Sequence, residues 1–198
     1  MFLAQMKTPD EWRNPALAAR WHAAVGFPSE IERLLATNAA TRSASPLLVI
    51  PDHQVPLRDG ARASQTDLWV LARTRRGLLS IAIDADPPQF PAAADASQAA
   101  ATVERWLAIC RLLEVKEQCE PAVQSRFFHR TAAALLEARR FFAAGAAVIV
   151  HSVGTRWNSF TDFQRLVAVM GGQVSRPGEL VSVAPREGLE LHFGWACG

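Results

Sequence analysis

The chain has 198 residues, 49% hydrophobic and 20% charged, which excludes intrinsic disorder and suffices for one hydrophobic core without disulfide or metal staples. Its 21 basic and 19 acidic side chains leave a formal charge of +2, so no chain-wide basic field drives nucleic-acid binding, and only a local patch could. The odd cysteine count (Cys110, Cys119, Cys197), with no CxxC, argues against a disulfide scaffold or a cysteine-rich zinc site and for a reducing, cytoplasmic location.

Asp10-Glu11-Trp12 and the Ala/Leu/Trp pattern after it predict an N-terminal helix, and Phe27-Pro28-Ser29-Glu30 opens a second one through about Ala36. Leu47 to Ile50, bracketed by Pro46 and Pro51, reads as a short first strand. Asp67 to Arg73, a charged turn through Gly77, and Leu78 to Asp84 predict a β-hairpin. Its antiparallel pairing puts Asp67 and Asp84 at the same end.

Pro87, Pro88 and Pro91 then interrupt regular structure, and an Ala-rich connector follows through Gln98. Helical spacing returns at Val103 to Leu113 and from about Ala122 to Phe142. The unbroken apolar run Ala146 to Val150, ending at His151, fits a strand covered on both faces. Phe160 to Met170 reads as a helix capped by Asn158 or Ser159 and ended by Gly171-Gly172, and Leu180 to Val183 and Leu189 to Trp195 as terminal strands. This order predicts one α/β domain over residues 1–198, a mixed sheet with helices on its faces and an N-terminal helical extension over about 1–26. The start, Met1 to Lys7, has too short an apolar stretch for a signal peptide, and the longest apolar run, Ala143 to Val150, is far below the roughly 20 residues that cross a bilayer, so no membrane association is expected.

Phosphate-binding loops, dinucleotide fingerprints, zinc-protease helices and serine-hydrolase elbows are absent, and the five histidines have no metal-ligand spacing. The carboxylates gather instead around the hairpin end: Asp67, Asp84 and Asp86, with Glu30 or Glu32 on an early helix able to join them. Hard ions such as Mg²⁺ take carboxylate oxygens, and such an ion can activate water and stabilise phosphoryl charge. Arg130 on the long helix could pair with Asp67 or Asp84. Arg73, Arg75 and Arg76 form a basic patch at the hairpin turn, and Asp52 reads as a turn acid. His151 marks a strand end and reads as a satisfied structural histidine. The double phenylalanines Phe127-Phe128 and Phe141-Phe142 read as core or homodimer material.

Ser64-Gln65-Thr66-Asp67 with the strand through Arg73, Asp84-Ala85-Asp86, the block His129-Arg130-Thr131-Ala132, then Val150-His151-Ser152 and Phe193-Gly194-Trp195 resemble a bacterial family of unassigned activity with the restriction-endonuclease-like, PD-(D/E)xK-type fold. The resemblance runs from about Phe27 onward. It implies a mixed sheet flanked by helices, with the first motif acid at Asp67, the second at Asp84, and the long helix beside the site, from which Arg126 or Arg130 could hold phosphate. Where that family has an acid, a small residue and then Lys, this chain has Asp84-Ala85-Asp86, so the lysine that would activate water is replaced by an acid. Of the two lysines, Lys7 is near the start and Lys116 near the end of a helix, and neither offers a replacement.

The expected function is therefore that of a degenerate nuclease-fold protein that binds nucleic acid or a protein partner without cleaving it. The alternative is phosphodiester hydrolysis with Mg²⁺ or Mn²⁺ held by Asp67, Asp84 and Glu30, with Asp86 and Arg130 completing the catalytic set.

Overall fold

The computed structural model describes residues 11–57, 63–86, 99–116, 125–153, 157 and 159–198. Asn14 accepts a hydrogen bond from the Leu17 backbone N–H at 3.0 Å, and Pro15 brings a helical φ to the first turn, so α1 runs over Pro15–Ala23. α2 (Ser29–Ala36) follows Pro28 and carries Glu30 and Glu32 in its first turn, where the helix dipole favours negative charge. β1 (Ser45–Pro51) is longer than its apolar core implied, and β2 (Gln54–Val55) and β3 (Ser64–Gln65) form a short ladder too brief to leave a sequence pattern. β4 (Leu68–Thr74) and β5 (Gly77–Ala85) are the expected hairpin, turned at Gly77 with φ 128°. α3 (Ala99–Leu113), α4 (Ser125–Arg140), β6 (Gly145–Ser152), α5 (Phe160–Val169), β7 (Leu180–Arg186) and β8 (Leu189–Cys197) complete the order. Ser159 precedes α5 without a side-chain capping bond. The proline-interrupted connector, the alternative cap Asn158, Lys7, Cys119 and the start near Ala122 lie outside the described residues.

The main sheet has the order β1-β4-β5-β6-β8-β7. Its centre is parallel, β5 with β6 and β6 with β8, and its outer pairs are antiparallel. β6 is buried at every residue, as a parallel strand covered on both faces must be. The two edge strands carry the prolines, Pro46 and Pro51 in β1 and Pro185 in β7, where a missing N–H costs no ladder bond and discourages further pairing. At Gly145 a Cβ would stand 2.7 Å from the Glu190 carbonyl oxygen, so the start of β6 approaches β8 as only glycine allows.

Alternation along the strands divides the core in two. Ile81, Ile83, Ala147 and Ile149 pack with Leu17, Trp21, Ile31 and Leu34 of α1 and α2. Ala82, Val148 and Val150 pack on the other face with Ile109, Phe127, Phe128 and Phe163 of α3, α4 and α5. Phe163 is fully buried and meets Phe127, Phe193 and Trp195 edge-on, at centroid distances of 5.9, 6.4 and 5.5 Å. Truncating such a side chain to alanine costs about 3–5 kcal/mol. α1, the helix of the expected N-terminal extension, buries Leu17, Ala18 and Trp21 in the same cluster as α2. Among the described residues no helix is long and apolar enough to cross a membrane. Phe127 and Phe128 lie in the core and Phe141 packs at a tilt against Trp69, with centroids 5.1 Å apart, so Phe142 alone of the paired phenylalanines faces solvent.

Candidate functional site

The hairpin register Leu68↔Ile83 sets Asp67 beside Asp84 at the open end of β4 and β5. The two acids brace each other's backbone: the Asp67 N–H donates to Asp84 Oδ1 at 3.1 Å, and the Ala85 N–H donates to Asp67 Oδ2 at 2.9 Å. By strand alternation Asp84 falls on the same face as Ala82, under α4. There Arg130 Nε donates to Asp84 Oδ2 at 2.5 Å, and Arg130 Nη1 donates to Ser64 Oγ at 3.1 Å. Ser64 in turn donates to the His129 carbonyl at 3.2 Å, which ties β3 to α4. Arg130 therefore chooses Asp84 of the two acids that it could have met.

Arg126 sits one helical turn before Arg130, on the same side of α4. Its Nε and Nη2 are buried and have no hydrogen-bond partner, and its guanidinium lies 4.5 Å from the centre of the Phe127 ring. Burial holds it below its ordinary value, against the raising influence of Asp84, Asp86 and Asp67, with Arg130 adding to the depression. Asp86 follows β5, partly buried, with its N–H donating to the His151 carbonyl at 3.3 Å. Asp67 is pushed up to about 6, first by burial and then by the charge of Asp84, against the Ala85 N–H and Arg130, with Asp52 adding a little. His129 is pushed down to about 4 by burial and then by Arg105 and Arg130, which keeps its ring neutral.

The structure thus brings together Asp67, Asp84 and Arg130, with Asp86 close enough for its charge to act on Arg126. It does not bring Glu30 there. Glu30 projects from α2 against the opposite face of the sheet, where His151 Nε2 donates to its Oε1 at 3.0 Å, Ser29 Oγ donates to its Oε2 at 3.0 Å, and Arg20 stands 3.7 Å away. The physical reason is strand parity: His151 shares the α2 face with Ala147 and Ile149, whereas Asp84 shares the α4 face with Ala82. Among the described residues no group of three or more His, Cys, Asp or Glu is arranged to hold a metal ion. The Asp67, Asp84 and Glu30 set expected for Mg²⁺ or Mn²⁺ is accordingly split by the sheet.

Other sequence candidates lie elsewhere. Arg73, Arg75 and Arg76 occupy the turn end of the hairpin, away from the aspartates, and Arg76 pairs with Glu190. Asp52 is a turn residue at φ 52°, its N–H donating to the Asp67 carbonyl at 3.0 Å. The Glu30 and His151 pair left no signal in spacing, since 121 positions separate its members. Ser64 was visible only as part of a block, and its role as an acceptor for Arg130 depends on how β3 meets α4.

Fold and site together define an α/β protein with a six-stranded mixed sheet flanked by helices and a buried acid and arginine cluster at one end. The family described as Domain of unknown function (DUF6946) matches residues 14–198, and the chain belongs to it. No curated protein and no solved structure matches the chain.

Proposed function

We propose that this protein is a degenerate member of the restriction-endonuclease-like fold that binds the phosphates of nucleic acid at the α4 end of its sheet without cleaving them. The observation that carries the reading is the Arg130 to Asp84 contact at 2.5 Å. A guanidinium already neutralises the carboxylate that a metal would need, and removing it would leave a buried charge unpaired, at a cost of several kcal/mol. Arginine keeps its proton and does not serve as a base in its place. Asp86, where the resembling family has lysine, adds negative charge and no ammonium. Arg126 supports the binding half of the reading, because buried guanidinium nitrogens without partners gain most from an incoming anion. The mixed sheet with helices on both faces is compatible with the proposed fold family. A cytoplasmic setting belongs to the same proposal.

A second reading, Mg²⁺-dependent phosphodiester hydrolysis through Asp67 and Asp84, draws on the contiguity of the two acids and on an Asp67 carboxyl that titrates near 6. One set of measurements separates the two. Calorimetric titration of Mg²⁺ and Mn²⁺ into the wild type and the Asp67→Ala/Asp84→Ala double variant is run beside fluorescence anisotropy and cleavage assays on labelled single-stranded DNA, duplex DNA and RNA. The expected result is oligonucleotide binding without cleavage, weakened about tenfold or more by Arg126→Ala. Metal-dependent cleavage that disappears in the double variant would replace this reading with the enzymatic one. Failure of all three oligonucleotides to bind would sink the nucleic-acid assignment and leave a protein partner.

A further inference from the structure

A separate polar cluster lies on the α2 face of the sheet, at its β7 edge. Ser182 of β7 and His192 of β8 are register partners, and Glu190 is two residues before His192, hence on the same face. Ser182 Oγ is 2.9 Å from His192 Nδ1, and His192 Nε2 is 3.7 Å from Glu190 Oε2. Asn38, just after α2, donates from Nδ2 to Ser182 Oγ at 2.8 Å. Its own Oδ1 accepts the Ala40 N–H at 2.9 Å, which fixes the orientation of the amide. Arg76 holds the other oxygen of Glu190. These five side chains line a surface cavity of about 300 Å³.

The proton inventory follows from these contacts. Ser182 Oγ accepts from Asn38, which leaves its own hydrogen available to His192 Nδ1, and the carboxylate of Glu190 beside Nε2 favours the tautomer with the ring N–H on that side. Burial keeps His192 below its ordinary value, against Glu190 and with Arg76, so the ring is neutral and free to take a proton. His192 is buried while Ser182 is exposed to the cavity. A nucleophile, a base in hydrogen-bond reach and a carboxylate behind the base are the parts of an activated serine.

We propose that Ser182 is an acyl-accepting nucleophile, with His192 as its general base and Glu190 as the positioning carboxylate, acting on small carboxylic esters that fit this cavity. Ser182 Oγ attacks the ester carbonyl carbon as its proton passes to His192 Nδ1, and the carbonyl electron pair moves onto oxygen, near the second N–H of the Asn38 amide. Collapse re-forms the carbonyl, breaks the bond to the alcohol oxygen and returns the Nδ1 proton to that oxygen. Water then attacks the acyl-serine through the same base, releasing the carboxylic acid and restoring Ser182. The step needs no oxidant or other co-reactant.

The test uses the full chain, an alkyl fluorophosphonate and p-nitrophenyl acetate. Intact-mass spectrometry after fluorophosphonate treatment should show one adduct, formed with loss of fluoride and mapped to Ser182, and none in Ser182→Ala. Hydrolysis of p-nitrophenyl acetate should fall to the buffer rate in Ser182→Ala, and His192→Gln should slow both readouts by about 10²-fold or more. Ser182 is exposed at a sheet edge, so its alanine variant keeps the fold. Glu190→Gln gives an independent readout at a half-buried position, with an expected slowing of about tenfold. An unmodified wild-type mass, an adduct on another residue, or a Ser182→Ala variant that hydrolyses the acetate as fast as wild type overturns the proposal.

Discussion

Two acids, Asp67 and Glu30, are withdrawn from water at the same end of the sheet but on opposite faces, and their protonation moves in opposite directions. Asp67 is raised to about 6 because burial and the neighbouring Asp84 charge outweigh the single Ala85 N–H and the influence of Arg130. Glu30 is more deeply buried in surface terms, and burial again pushes it up, yet its own backbone N–H, His151 and Ser29 together bring it below the ordinary carboxylate value. His151 is itself held low, chiefly by burial, so it meets Glu30 as a neutral donor through Nε2. Burial thus has one sign for both acids, and the donors aimed at each oxygen decide the outcome. The Asp67 side is electrostatically strained and open to an added cation or proton. The Glu30 side is a closed structural pair.

The largest effect expected from breaking this contrast is at Arg130. Arg130→Ala leaves Asp84 and Asp67 side by side without their cation and should cost about 3–5 kcal/mol at pH 7 in urea denaturation. The loss should shrink at pH 5, below the raised value of Asp67, and Arg130→Ala combined with Asp84→Asn should recover much of it. Equal destabilisation at both pH values would place the effect in packing instead.

Next in size is the pH dependence carried by Asp67. Between its ordinary value of 3.8 and about 6 the folded chain holds more protons than the unfolded one, so this group's contribution is fully present below 3.8 and is lost as pH rises through 6. The whole effect is about 3 kcal/mol. Asp67→Asn should remove that downward slope while Glu30, lowered in the fold, keeps its opposite contribution, present above the ordinary carboxylate value and lost on further acidification. Thermal melts from pH 4 to 8 read both slopes, and an unchanged profile in Asp67→Asn would sink the assignment.

A smaller loss, about 1–3 kcal/mol, is expected for Glu30→Ala, which strands the buried His151 Nε2–H. Glu30→Gln keeps an acceptor there and should recover most of the stability at neutral pH. The smallest change belongs to Arg20→Ala. Its guanidinium is 3.7 Å from Glu30 and nearly half exposed, so the cost should stay below about 1 kcal/mol and should vanish in high salt.

Much of this architecture was legible from local pattern. The two apolar runs around Thr74 to Gly77 force a hairpin whose ends meet, so local pattern alone pairs Asp67 with Asp84. The buried run into His151 marked the central strand for the same reason, because a strand covered on both faces has no polar alternation to hide. β2 and β3 escaped notice because two residues carry no period. Glu30 was drawn toward the aspartates because a helix face alone does not say which side of a sheet it will cover.

What the sequence determined by itself is the order of the longer elements and the β4–β5 hairpin that sets Asp67 and Asp84 at one end. Each follows from residue identity or from a period that neighbours in the chain share. Only the tertiary structure decided that Arg130 takes Asp84, that Glu30 goes to His151, that Arg126 Nε and Nη2 are buried without a hydrogen-bond partner, and that Asn38, Ser182, Glu190 and His192 converge. Those outcomes depend on which sheet face each helix covers, and that is set by the sum of many weak apolar contacts across the whole core rather than by any local signal.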